Sequence, residues 1–205
     1  MNRNGLLAVL VTASAALAGC VEMAAVGLGA AAVAREDRRT TGTLVEDEGI
    51  ELRATNRIGE RFRDKVHINV TSYNRNVLLT GEAPDAATRA EVEKMVRAVP
   101  NVRGLTNDIQ IAGNASLGAR SNDAFITSKV KARFLDSGTI NPIQIKVVTE
   151  AGVVYLLGLV TEAEAAAAVE LARTTGGVRK VVKVFEYCKP TDEACRPREA
   201  PKSGS

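Results

Sequence analysis

The chain has 205 residues, with 27 Lys and Arg against 24 Asp and Glu and a formal net charge of +3. Charges of both signs are interleaved, aromatic residues make up 3% and Trp is absent, which excludes the basic stripe with stacking aromatics expected of a nucleic-acid binder. A single histidine removes most acid–base and metal chemistry from consideration, and the core has to be built from Val, Ile, Leu and Ala.

In chain order, Arg3 precedes an apolar run from Leu6 to Leu17, followed by Ala18, Gly19 and Cys20. A positive start, a short apolar core and small residues at a cleavage point make a signal-peptide layout over residues 1–19. The run is too short to span a bilayer. The cysteine directly after Leu17-Ala18-Gly19 resembles the bacterial lipoprotein signal, in which this cysteine is acylated, with palmitate among the chains, and becomes the first mature residue. The resemblance implies lipidation at Cys20. Each buried methylene contributes about 0.8 kcal/mol, and several chains together hold a protein permanently on a membrane. Val21 follows, with no Asp to suggest inner-membrane retention, so the expected place is the outer membrane, lipid-anchored and facing the periplasm. Residues 20–43 read as the lipidated N-terminus and tether, with an Ala/Gly/Val stretch from Ala24 to Ala34.

Beyond the tether the chain repeats itself. Val66-His67-Ile68-Asn69-Val70 matches Ile143-Gln144-Ile145-Lys146-Val147, and Asn76–Glu82 matches Gly152–Leu159 with Gly81 on Gly158. The spacing between the two correspondences is kept, which marks a tandem repeat and two small domains of similar fold. Each copy starts with a helix whose apolar residues lie four apart: Ile50, Ala54 and Ile58, then Ile126, Val130 and Phe134. Two alternating strands follow, joined by tight turns at Asn74-Arg75-Asn76 and Glu150-Ala151-Gly152. A second helix is capped by Asp85 in the first copy and by the capping box Thr161-Glu162-Ala163-Glu164 in the second. Pro100 and Gly176-Gly177 end these helices. A last strand, Val102–Ile111 or Val178–Tyr187, completes each αββαβ unit, an α+β sandwich with helices on one sheet face.

This element order, with the strand–Gly–capped-helix core, resembles the BON domain, a bacterial periplasmic module linked to phospholipid binding. The flanking segments Asp37–Thr43 and Ser121-Asn122-Asp123, with Val77-Leu78-Leu79-Thr80-Gly81 and Gly158-Leu159-Val160-Thr161-Glu162, resemble the dual-BON outer-membrane lipoprotein family of the DolP (YraP) type. The expected organisation is BON domain 1 over 44–112, a linker over 113–120, BON domain 2 over 121–188 and a disordered, Pro-rich tail over 189–205. Cys188 and Cys195 sit at that tail. With Cys20 carrying lipid the remaining count is even, which suggests one small disulfide loop in an oxidising periplasm. A zinc site is the alternative, although two cysteines without a nearby His are a poor ligand set.

No constellation for catalysis stands out, so no enzymatic activity and no cofactor are expected. His67 alternates away from Val66, Ile68 and Val70 and reads as an exposed or edge histidine. The acidic residues fall mainly on caps and solvated faces, with no pair forced into an apolar pocket by pattern. The first helix of the second copy has the most suggestive surface, because Phe125 lies off the core stripe beside Lys129, Lys131 and Arg133. On pattern alone a solvated face, or packing against the linker or the other domain, is the better reading. The resemblance reverses that order: it implies that Phe125, Ser128, Lys129, Ala132 and Arg133 bind anionic phospholipid, phosphatidylglycerol or cardiolipin. The members it resembles carry Trp where Phe125 stands, and Phe lacks the indole N–H favoured at interfaces; weaker binding, or a contact shifted towards Ile126 and Leu135, follows. The matching helix of the first copy offers Leu52 and Arg53 without an aromatic, which leaves it a supporting role. The implied biological role is maintenance of outer-membrane integrity. The alternative is a periplasmic protein-interaction module supporting outer-membrane protein assembly.

Overall fold

The computed structural model describes residues 37–113 and 116–195. Cys20 and the expected signal peptide lie outside the described residues. The first repeat runs α1 (Thr41–Phe62), β1 (His67–Tyr73), β2 (Asn76–Ala83), α2 (Ala86–Arg97), β3 (Gly104–Asn107) and β4 (Gln110–Ile111). The second runs α3 (Leu117–Ser137), β5 (Ile145–Glu150), β6 (Val153–Val160), α4 (Glu162–Arg173) and β7 (Lys180–Tyr187). In each repeat the hairpin is antiparallel and the last strand joins the sheet parallel to the hairpin's second strand, with the second helix as the crossover. The expected α+β sandwich is the observed fold.

Side-chain oxygens set where the helices begin. Thr40 accepts from Thr43 N and Ser116 from Ala119 N, so α1 starts inside the stretch expected as tether and α3 inside the expected linker. Asp85 accepts from Thr88 N, and the Thr161–Glu164 capping box is complete. Residues 189–195, within the suggested disulfide loop, form a turn and a short 3₁₀ helix (Glu193–Cys195). Lys189 N donates to the Asp192 carboxylate there, and Cys195 is buried.

Both hairpin turns place two consecutive residues in the left-handed region, Asn74 and Arg75 in one and Ala151 and Gly152 in the other. Three of these four are not glycine, so the turn needs outside support. A buried aspartate on the first helix of each repeat supplies it. Asp47 accepts from Asn74 N at 2.8 Å and Arg75 N at 2.7 Å, and Asp123 from Ala151 N at 2.9 Å and Gly152 N at 2.8 Å. Asp47 is held further by the Ser72 hydroxyl at 2.6 Å and the Arg39 guanidinium at 2.9 Å. Gly81 has φ +104°, and a Cβ there would collide with the His67 carbonyl oxygen. The last strand of the first repeat breaks between Asn107 and Gln110, across from Thr80 and Gly81, while keeping one register on both sides. The expected continuous strand from Val102 to Ile111 is therefore two short pieces.

Each repeat has a core between its helices and its sheet. Ile50, Ala54, Ile58 and Phe62 meet Val77, Leu79, Ala83, Val92 and Val96 in the first; Ile126, Val130 and Phe134 meet Val154, Leu156, Val160, Ala165 and Ala168 in the second. A third apolar cluster joins the repeats: Tyr73 and Leu78 pack with Tyr155 and Leu157, flanked by Val148, Val153, Leu159, Val182 and Val184. The alternate residues of β2 and β6, which point away from the helices, are thus buried against each other. That explains why β6 reads as a nearly unbroken apolar run and why Val77, Leu78 and Leu79 stand side by side in β2. Polar contacts ring this cluster. Tyr73 Oη donates to Gln144 O at 3.2 Å, Tyr155 Oη to Asp108 at 2.8 Å, Lys146 pairs with Glu51 at 2.8 Å, and Asn74 and Asn76 both donate to Glu186. Burial and the adjacent Asp108 carboxylate push the Tyr155 phenol far above its ordinary range.

Just before α1, Arg38 makes a two-pronged ion pair with Glu164, both contacts 2.7 Å, and donates to Leu159 O at 2.8 Å. Burial acts to raise the Glu164 carboxyl, but Arg38 and the Thr161 N–H and hydroxyl outweigh it and hold the carboxyl below its ordinary value of 4.5.

Two predictions follow from these contacts. Asp123→Ala, leaving two turn N–H groups without an acceptor, is expected to cost about 3 kcal/mol; urea unfolding measures it, and Glu162→Ala on the exposed side of the next helix should cost far less. The Glu164 contribution is present above pH 4.5 and is lost as pH falls through its lower folded value. Stability measured from pH 5 downwards should therefore drop less steeply in Glu164→Gln than in the unmodified chain.

Candidate functional site

The candidate surface is built on α3. Ile126, Val130 and Phe134 on its inner stripe are fully buried in the second core. The suggested shift of a membrane contact towards Ile126 is therefore overturned: that side chain is 1% exposed. The outer side carries Phe125 at 62% and Leu135 at 68% exposure, with Ser128 and Ala132 exposed between them. At 3.6 residues per turn, positions 125, 128, 132 and 135 share one side of the helix. The structure thus places Phe125, Ser128 and Ala132 on one side together with Leu135, the exposed member of the suggested shift.

The polar members of the surface are partly engaged. Ser128 Oγ donates back to Ala124 O at 3.0 Å. The Lys129 ammonium donates to Gly176 O and sits 4.7 Å from the Phe125 ring centroid, within cation–π range. Arg133 Nη1 donates to Leu171 O at 2.8 Å, Thr174 Oγ1 at 2.9 Å and Thr175 Oγ1 at 3.1 Å. Both cations lie at the C-terminal end of α4, where free carbonyls favour positive charge. The first repeat shows what Arg133 does structurally. Its counterpart by repeat spacing, Arg57, donates to Ala98 O at the end of α2. An arginine that clamps the following helix is therefore common to both repeats, whereas Phe125 has only Gly49 as its counterpart. Sequence reasoning did not find this clamp, because its acceptors are backbone and hydroxyl oxygens some forty residues away.

A second cluster lies between the repeats. His67 Nδ1 is 3.1 Å from Glu82 Oε2, and Glu150 Oε2 accepts from Asn69 Nδ2 at 2.7 Å. One ligand atom each from His67, Glu82 and Glu150 falls within 4.8 Å of the others. Both carboxylates are buried, at 6% exposure each. Burial pushes the Glu150 carboxyl above its ordinary range, the Glu82 charge adds to this, and the Asn69 hydrogen bond partly offsets it. His67 stands on the edge strand β1, within the expectation of an exposed or edge histidine, whereas the expectation of no buried acidic pair is corrected here. A two-residue turn at Asn74-Arg75 sets a register that places His67 directly across from Glu82, a signal readable from the sequence. Glu150 arrives only through the packing of the two sheets.

Cys188 and Cys195 are joined in a disulfide with Cα atoms 6.2 Å apart. Cys20 lies outside the described residues. Among the described residues, no helix is long and apolar enough to cross a membrane.

The BON domain family model matches residues 46–113 and 122–189. An "Outer membrane lipoprotein DolP" from Haemophilus influenzae is 34% identical over 183 residues, covering 88% of this chain and 95% of that protein. A "21 kDa hemolysin" from Actinobacillus pleuropneumoniae is 34% identical over 74% of this chain and 79% of that protein. An "Osmotically-inducible protein Y" from Escherichia coli is 26% identical over 68% of this chain and 72% of that protein. Two matched repeats and an alignment over nearly the whole of a relative agree with the duplicated αββαβ architecture, and the chain belongs to the BON-domain family as a DolP-like member.

Proposed function

We propose that this protein is a non-enzymatic outer-membrane lipoprotein, anchored by acyl chains on Cys20 and facing the periplasm, whose second BON domain binds anionic phospholipid and helps maintain outer-membrane integrity. The observation that carries the lipid reading is the outer side of α3. There a largely exposed Phe125 stands with the Lys129 ammonium 4.7 Å from its ring, and an equally exposed Leu135 lies further along the helix. An aromatic and an aliphatic side chain can enter the headgroup zone while a neighbouring cation meets phosphate, the arrangement an interfacial helix uses. Ser128 and Ala132 are small enough to let that side approach a surface closely. Arg133 adds its charge from the flank while clamping α4. The anchor supports the reading in a second way, because acylation at Cys20 would hold this helix close to lipid and raise its effective concentration there. The name of the Haemophilus influenzae relative supports the membrane assignment.

Each cation close to an anionic surface contributes about 1 kcal/mol, and burying a phenyl ring contributes about 2 kcal/mol. Co-sedimentation of the chain lacking residues 1–20 with vesicles of graded phosphatidylglycerol content tests the reading. Binding should rise with anionic lipid and fall with salt. Phe125→Ala and Lys129→Glu should each weaken it by roughly thirtyfold, at unchanged circular dichroism. No binding at any lipid composition would sink the reading and favour a protein partner.

A further inference from the structure

We infer that His67, Glu82 and Glu150 form a binding site for one divalent transition ion, zinc by its donor set, that ties the first BON domain to the second. The three side chains come from β1, β2 and β5, so the site is complete only when the two sheets are packed together. A ring nitrogen and two carboxylate oxygens already lie within 4.8 Å of one another, and the His67–Glu82 pair stands at 3.1 Å. Tetrahedral zinc with bonds of about 2.0–2.2 Å brings its ligand atoms to roughly 3.3–3.5 Å apart. The His67–Glu82 pair, at 3.1 Å, is slightly closer than that, and side-chain movements of roughly 1 Å would bring all three atoms to the zinc spacing.

The chemistry of the donors points the same way: two buried carboxylates and one imidazole converge, a set of oxygen and nitrogen donors that a doubly charged cation takes. One imidazole and two carboxylates suit zinc, and the site would leave a fourth position for water. A cleft of about 270 Å³, lined in part by His67, Asn69, Thr127, Thr149 and Glu150, gives access and room for that water. Arg120 and Asp123 also line this cleft, the latter already accepting from Ala151 N and Gly152 N. Asn69, bonded to Glu150 at 2.7 Å, orients that carboxylate as an outer partner does in metal sites.

The two repeats provide an internal comparison. Where the first repeat has His67 and Glu82, the second has Gln144 and Leu159 at the matching positions. The fold therefore does not require these groups, and their convergence on Glu150 is particular to the junction. The cysteines at 188 and 195 are joined in the disulfide and offer no competing thiolate.

The chain's single histidine makes the test direct. The untagged full-length chain, held in detergent micelles, labelled with ¹⁵N-histidine and freed of metal with a chelator, is titrated with zinc chloride. The imidazole nitrogen resonances should shift with saturation at one equivalent, and the thermal midpoint should rise. Excess magnesium should do neither. Glu150→Gln and Glu82→Gln, which keep side-chain size, should each weaken zinc binding by on the order of 100-fold, with the amide spectrum otherwise retained. An unmoved His67 resonance, or a shift that survives in the folded Glu150→Gln chain, would overturn the site. If a variant fails to fold, the zinc-against-magnesium comparison on the unmodified chain decides alone: a one-equivalent zinc shift with a raised midpoint supports the site, and its absence overturns it.

Discussion

The mutual burial of the outer faces of β2 and β6 is the constraint from which the rest of the described structure follows. A three- or four-stranded sheet covered by helices on one side leaves its other side to water unless something covers it. Here Leu78 and Leu157 are fully buried from that side, and the Tyr73 and Tyr155 rings fill the space beside them. Each apolar side chain of this size contributes about 1.5–3 kcal/mol when fully buried, so separating the repeats would expose a costly surface on both. Both tyrosine hydroxyls find acceptors in the opposite repeat, Gln144 O and Asp108, so neither hydroxyl is stranded by the packing.

Duplication separates the residues that make the fold from those that distinguish the copies. Asp47 and Asp123 both anchor a left-handed hairpin turn, Arg57 and Arg133 both clamp the end of the following helix, and Gly81 and Gly158 both admit a neighbouring carbonyl. These are structural duties, because each copy needs them. Phe125 against Gly49, and His67 with Glu82 against Gln144 with Leu159, are differences in side-chain chemistry on a shared backbone. The interfacial surface of α3 and the junction cluster both lie at such differences.

The residue pattern carried the local elements well because local physics decides them. The apolar spacing of Ile126, Val130 and Phe134 marked the buried stripe of α3, and Thr161 with Glu164 marked the start of α4. Helix starts at Thr41 and Leu117 were harder to place, because capping by Thr40 and Ser116 lies before any apolar periodicity begins. The break in the last strand of the first repeat was hidden as well, because the left-handed Gly81 that faces it belongs to another strand.

The sequence by itself determined the repeat, the αββαβ order of each copy, the core stripes and the side of α3 on which Phe125 stands. Each depends on side-chain period, capping or turn chemistry within a few neighbouring residues. The tertiary structure alone decided that the two sheets face each other, that His67 meets Glu150, and that Lys129 and Arg133 are tied to the end of α4. Those contacts join residues dozens of positions apart, and their geometry exists only after the apolar faces of β2 and β6 have left water together.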